Sequence, residues 1–388
     1  MAQPMQGIKV VDLSRILAGP LCTMTLADFG AEVLKVESRA GDETRAWLPP
    51  VTEDGVSTYY SAVNRNKHAI VVDFTNSEEL ADLREIIRNA DVVVENFRPG
   101  VLAKFGLDYE TLRMSNPALV YCSISGFGDG GGASLPGFDL LVQAVGGLMS
   151  ITGEPNGTPS KVGVALVDVL AAQNATTGIL LALRERESSG QGQKVGISLM
   201  TSLLAGLTNQ ASSTAVTGNS PPRLGNAHPS IAPYETFATT AGVVVIAVGN
   251  NRQFASLVTE LGLSDLLQDP RFADNTSRVR HRKELKELIE EVTRQRTAVQ
   301  WTSRLMGVGV PAGKVNSILE ALEFADELGL EPVVTIKDPK TGRTSKQITN
   351  PIGLSRSKPE YRLVPPALGE HQHVYRSTPA IKGANPND

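Results

Sequence analysis

Hydrophobic residues in the first third of the chain fall in short runs, each followed by a longer amphipathic or polar stretch. IKVVDLS (8–14), AEVLKVE (31–37), HAIVVDF (68–74), DVVVENF (91–97) and ALVYCSISG (118–126) have the length and β-branched content of buried strands. After the first run Ala18-Gly19-Pro20 turns the chain. Pro20 suits the opening turn of a helix over LCTMTLADF, and Gly30 suits its C-terminal cap. Thr75 and Glu78 match a capping box opening the helix SEELADLREIIRNA. Strands alternating with helices predict a parallel sheet of α/β type. Beyond the glycine-rich stretch 126–137, FDLLVQAVGGLM reads as a helix. KVGVALVD then leads into a helix from about Val169 to Arg186, ended by Gly190 and Gly192, and KVGISL (194–199) returns to the sheet.

The pattern stops at TGNSPPRLGNAHPSIAP (217–233), which has no periodicity and is rich in Pro, Gly, Ser and Asn, as a linker is. YETFATTAGVVVIAVGN predicts a hairpin, followed by helices over RQFASLVTELG, RHRKELKELIEEVTRQR and AVQWTSRLMG, a smaller α+β unit. A second hairpin turns at Pro339-Lys340-Thr341-Gly342. The 388 residues exceed the roughly 250–300 at which one core stops growing, so two domains are expected.

Composition narrows the classes. The net charge of −4 leaves no general nucleic-acid surface, and any anion site is local. Two cysteines, Cys22 and Cys122, make no ligand spacing and no disulfide framework, and read as small core residues; no metal is expected. The start MAQPMQGIKVVD lacks a signal pattern, the end GANPND carries no lipidation or sorting signal, and no apolar run approaches the roughly 18 residues that span a bilayer. A cytoplasmic protein without membrane attachment is expected.

The candidate chemistry starts with Asp168, a lone carboxylate in the apolar run KVGVALVDVL. Burying it unpaired is costly. Standing just before a helix, it suits the N-cap, and capping alone would explain it. The same position would let the partial positive charge of the helix terminus hold it ionised, as a carboxylate nucleophile requires. The residue by itself leaves both open. The first strand–helix–strand unit ends in Glu37 but lacks the G-x-G-x-x-G loop, so a dinucleotide-dependent oxidoreductase is only weakly supported. Arg39, Arg98 and Lys104 follow predicted strands, where they suit phosphates or simply water. Of the five histidines, His371 and His373 are spaced as a pair but expected to be exposed, and His228 lies in the linker. No Ser–His–Asp or G-x-S-x-G pattern occurs.

Taken together, DLSRILAGPLCTMTLADFGAEVLKVE, NRNKHAIVVDF, DVVVENFRPG, GFDLLVQAVGGLM and KVGVALVDVL resemble the family III coenzyme A transferases, in order and over almost the whole chain. That group includes formyl-CoA transferases, carnitine CoA-transferase-type proteins and α-methylacyl-CoA racemases. STYYSAVNRNK, HPSIAPYETF and VGNNRQFASL are closest to its succinyl-CoA:glutarate type, which acts on dicarboxylates. The resemblance implies that Asp168 is the nucleophile, passing through an acyl anhydride and an enzyme–CoA thioester. It implies coenzyme A contacts at Ile16, Leu17, Ala18, Arg39, Val72, Asp73, Phe74, Thr75, Asn96, Phe97, Arg98 and Lys104, with Arg39 and Lys104 on phosphates. Acyl-CoA is then a substrate, and no cofactor is permanently bound.

The sequence departs from formyl-CoA transferases at Ser38, Thr75 and Leu135-Pro136, where basic counterparts are lacking, and the tetraglycine lid is missing, which argues against oxalate. Racemases need a histidine before the aspartate, and 121–150 contains none. For a dicarboxylate's second carboxylate, Arg15 and Arg223 are candidate partners, with His228 as a neutral donor. The fold implied is a Rossmann-like large domain from both chain ends (1–216 and 326–388), a linker (217–233) and an inserted small domain (234–325). The assembly implied is an interlocked, ring-like homodimer. A non-catalytic CoA-binding protein is the remaining alternative.

Overall fold

The computed structural model describes residues 3–375. The tail GANPND lies outside them. The chain divides into two units. The first comprises the residues up to Gly146, Val162–Thr217 and the chain from Glu331 on.

Its centre is a six-stranded sheet of β1 (Lys9–Asp12), β2 (Glu32–Glu37), β3 (Lys67–Val71), β4 (Val92–Glu95), β5 (Val120–Ser125) and β6 (Lys194–Ser198). The order is β3-β2-β1-β4-β5-β6, and every pairing is parallel. The centre reads as unbroken valine because parallel strands bury both faces: Val92, Val93 and Val94 are all buried. On one face α2 (Ser77–Arg88) sets Leu80, Leu83 and Ile87 against Val11, Leu34 and Ile70. On the other, α1 (Ala18–Asp28) packs against a later, long helix, Leu166–Ser189. Ala171, Ala172 and Ala175 are buried on that helix, and such small side chains let two backbones approach closely.

Three local expectations change. The cap of α2 is Asn76, whose side chain accepts from the Glu78 and Glu79 amides; Thr75 instead donates to Asp73. The Asn side chain reaches the first-turn amides from one residue nearer the helix, so Thr75 and Glu78 form no capping box. The helix Leu166–Ser189 is long and apolar enough to cross a membrane by length and composition, contrary to the expectation of no such run. It is laid against α1, β5 and β6, with Val167, Ala175 and Ile179 buried. His371 is half-buried rather than exposed, because the C-terminal segment covers the free edge of β3. His371 donates its N–H to the Ala69 carbonyl at 2.9 Å, and its ring stacks on His68 with centroids 4.2 Å apart. The Gln372 amide accepts from the Val71 N–H at 2.8 Å and donates to its carbonyl at 3.2 Å, standing in for a strand.

The second unit comprises Gly147–Lys161 and Gly218–Leu330. Its antiparallel sheet, β7 (Tyr234–Ala238), β8 (Val243–Ala247) and β9 (Ala312–Lys314), buries Phe237, Val244 and Ile246 among Phe254, Leu257, Trp301 and Leu305 of its helices. Residues 218–233 contain no helix or strand but are tied down: Arg223 donates to the Glu154 and Gly157 carbonyls at 3.3 and 2.7 Å.

Candidate active site

A cavity of 440 Å³ opens in the first unit where the strand order reverses between β1 and β4. Open parallel sheets bind ligands at such a point, beyond the carboxyl ends of their strands. The walls come from the loop after β1 (Arg15, Ile16, Leu17, Ala18), the loop after β4 (Asn96, Phe97, Arg98) and the loops around Gly126 and Gly137, with Asp139 and Asp168. Gly126 and Gly137 touch backbone to backbone. A Cβ on either would sit 2.5 Å from the other's Cα, so both must be glycine for the loop to close.

The loop after β1 is held from beneath by buried charge. Asp12 ends β1 fully buried and accepts from Lys67 at 3.0 Å, from Thr23 at 2.7 Å and from the Ser14 hydroxyl. Burial raises its carboxyl, but Lys67, Lys35 and the two hydroxyls overcome that and hold it below the usual carboxylate range. Lys35 bridges the Ser14 carbonyl at 3.1 Å and Asp42 at 2.9 Å. Asp42 in turn accepts from the Ile16 amide at 3.2 Å. That bond matters because Ile16 has φ +71°, a left-handed conformation that costs a β-branched residue roughly 1–3 kcal/mol. From the side, Asn96 accepts from the Arg15 N–H at 2.9 Å and donates to its carbonyl at 2.8 Å. The Glu95 carboxyl, pushed up to about 6 by burial, accepts from the Phe97 N–H at 2.8 Å and fixes the second loop.

Asp168 lies in the first turn of the helix Leu166–Ser189, labelled α4 after the α3 helix Asp139–Val145. It is not the N-cap: that position is Ala165, which has no acceptor. Asp139 supplies the missing cap from the start of α3. Its Oδ1 accepts from the Val167 N–H at 2.8 Å and the Asp168 N–H at 3.4 Å. The expectation that the helix terminus would keep Asp168 fully ionised also changes. Burial pushes its carboxyl up to about 7, and the negative charge of Asp139 adds to the shift. Desolvation and a like charge outweigh the half charge of the helix end, leaving a carboxyl that switches near neutral pH.

Arg15, Ile16, Leu17, Ala18, Asn96, Phe97, Arg98 and Asp168, all expected from the sequence, share this one cavity. The Arg15 guanidinium lies 5.0 Å from the centre of the Phe97 ring and pairs with Glu43 at 2.5 Å. Arg39, Val72, Asp73, Phe74, Thr75 and Lys104 do not line it. Of these, Phe74 meets a lining residue, its ring lying 6.2 Å from that of Phe97. Arg39 is largely exposed and bridges Asp73 at 3.4 Å and Glu79 at 2.9 Å. Arg223 and His228 belong to the second unit, where His228 accepts from the Ser230 N–H at 3.1 Å within its own turn.

Sequence reasoning missed four side chains. Glu43 and Trp47 line the cavity, and Asp139 touches the backbone of Asp168. Tyr59 meets Trp47 edge-on at 4.9 Å. Burial pushes the Tyr59 phenol up to about 12, with Asp168, Asp139 and Asp42 adding to the rise, so it stays a donor. STYYSAVNRNK and GFDLLVQA held the signal for Tyr59 and Asp139, but nothing local tied either to Asp168.

A parallel sheet with a raised carboxyl on the cavity wall at its switch point, and no glycine fingerprint on the first loop, departs from the pattern of a dinucleotide-binding site. The chain belongs to CoA-transferase family III, whose model matches residues 5–372, and it is a CoA-transferase of that family. The succinate–glutarate CoA-transferase of Agrobacterium fabrum is 43% identical over 385 residues, covering 95% of this chain and 94% of the relative. The human succinyl-CoA:glutarate CoA-transferase is 37% identical, covering 95% and 84%. A CAIB/BAIF family protein from Brucella suis superposes with a TM-score of 0.85 at 40% identity, covering 96% of this chain and 98% of that one.

Proposed function

We propose that this enzyme moves coenzyme A from an acyl-CoA donor such as succinyl-CoA to a dicarboxylic acid, using Asp168 as a covalent carrier. The observation that carries the reading is a carboxyl near pH 7, half-buried, on the wall of the cavity at the switch point of the sheet. The Asp168 carboxylate attacks the thioester carbonyl, and the carbon–sulfur bond breaks to release CoA thiolate. The thiolate attacks the aspartyl carbonyl of the resulting anhydride, which frees the donor acid and leaves an enzyme–CoA thioester. The acceptor carboxylate attacks that thioester, giving a second anhydride and thiolate. The thiolate takes the acceptor's acyl carbon, and Asp168 returns as a carboxylate. Splitting one hard exchange in this way keeps the thioester energy without another cosubstrate.

The dicarboxylate reading draws on the named relatives and on Arg15, a cation on the cavity wall with donors beyond its Glu43 contact. The coenzyme's phosphates are assigned to Arg98, Arg39 and Lys104, reached past Phe97. No histidine lines the cavity, which favours transfer over racemisation. Exposed Leu140, Leu141, Leu180, Leu181 and Val216 support a homodimer.

The test is to mix the enzyme with succinyl-CoA alone, trap with hydroxylamine or borohydride, and map the modified peptide by mass spectrometry. A mark on Asp168 is expected. Full turnover with no mark there overturns the reading. In the same assay Arg15→Gln should slow glutarate far more than butyrate; an unchanged ratio removes Arg15 from the acceptor site.

A further inference from the structure

We propose that Asp139 and Gln143 form a positioning brace for Asp168, holding the turn before it by its backbone and keeping a second negative charge beside it. The inference rests on Asp168 being the nucleophile. Helix α4 starts without a cap of its own, so the amides of its first turn need an outside acceptor. Asp139 provides it at Val167 and Asp168, and its other oxygen accepts from Gln143 Nε2 at 2.6 Å. Gln143 sits one turn further along α3 with no exposed surface, and its Oε1 accepts from the Val162 N–H at 2.9 Å. Two side chains of one short helix thus grip both ends of the segment that delivers the nucleophile.

Capping alone does not call for a charge, because Asn caps about as well as Asp. A carboxylate here sets like charge beside like charge, and that opposes ionisation of Asp168. The other charged or titratable side chains nearby are Arg15 and Glu43, which neutralise each other, Arg98 on the cavity wall, and the protonated phenol of Tyr59. Of these groups, Asp139 is the one whose charge acts on Asp168. A less acidic carboxylate is the better nucleophile once formed, so the brace exchanges some ionised population for reactivity.

The test is the pH dependence of Asp168 acylation by succinyl-CoA without acceptor, trapped as above. Asp139→Asn keeps an acceptor oxygen and removes the charge. Its acidic limb should move down by roughly one pH unit. Asp139→Ser, neutral and smaller, repeats the test should the Asn amide conflict with Gln143. Gln143→Met keeps the charge and loosens the turn. It should slow acylation at least tenfold, with no downward shift of the limb. An unmoved limb in the neutral variants, while wild-type Asp168 is labelled, overturns the brace as an electrostatic device. Absence of label on wild-type Asp168 overturns the nucleophile reading instead.

Discussion

Asp12 and Asp168 are both withdrawn from water, and their surroundings act on them in opposite directions. Asp12 meets Lys67 and two hydroxyls, and its carboxyl is held below the ordinary range. Asp168 is desolvated with the charge of Asp139 acting on it, and its carboxyl rises to about 7. The first is a structural charge: fully paired, it pins β1 to β3 and, with Lys35 and Asp42, holds Ile16 in its left-handed turn. The second has a like charge rather than a cation acting on it, which is what the proposed nucleophile role draws on. Partner choice, more than burial, separates a carboxyl held below its ordinary range from one raised to near neutral pH.

Four experiments break or sharpen that contrast. The largest effect is expected from Asp168→Asn, which should lower transfer between succinyl-CoA and glutarate by on the order of a thousandfold or more while the fold survives. Its stability should change with a defined sign. A carboxyl raised from 3.8 to about 7 on folding costs stability increasingly as pH climbs through that window, up to about 4 kcal/mol above it. Asp168→Asn should therefore melt higher than wild type at pH 8 and little differently at pH 4. A lower melting temperature at pH 8 would make Asp168 a structural residue like Asp12.

Lys67→Met addresses the other carboxylate. It strands Asp12 in the interior and should cost about 3–5 kcal/mol, measured by urea unfolding. A cost below 1 kcal/mol would mean that the pair is replaceable and the contrast is weaker than drawn. The pH profile of wild-type transfer follows with a smaller effect. The carboxylate is the reactive form, so the rate should fall about tenfold per unit below pH 7 and level off above it. Stability from Asp12 should stay constant over the same range, because that group remains ionised. A rate flat from pH 5 to 8 would remove Asp168 as the titrating group. The smallest effect is expected from Arg39→Ala. The side chain is exposed and already paired with Asp73 and Glu79, so acyl-CoA affinity by calorimetry should drop only a few fold. No change at all would move phosphate binding to Arg98 and Lys104.

The strands around the cavity were legible in advance to within two or three residues. The run DVVVENF and the other apolar stretches carry the signature of buried parallel strands, and that signal depends only on neighbours along the chain. Caps were less legible. Asn76 displaced Thr75 because two side chains one residue apart both suit the position and only geometry chooses. Arg15, Asn96, Phe97 and Asp168 were singled out as residues, yet nothing local said that they meet in one cavity.

The sequence by itself determined the alternation of strand and helix, and so the parallel sheet and the place where its ligand site must lie. It also marked Asp168, since a carboxylate in an apolar run demands a reason. Tertiary structure alone decided what surrounds that carboxylate and how readily it ionises. Asp139 lies 29 residues upstream in sequence yet within 3.4 Å of the Asp168 backbone, and Asp42 holds Ile16 from 26 residues away. Hydrophobic periodicity is set by residues within one helical turn or one strand. Ionisation and backbone strain are set by distance and desolvation in space, which the chain acquires only when it folds.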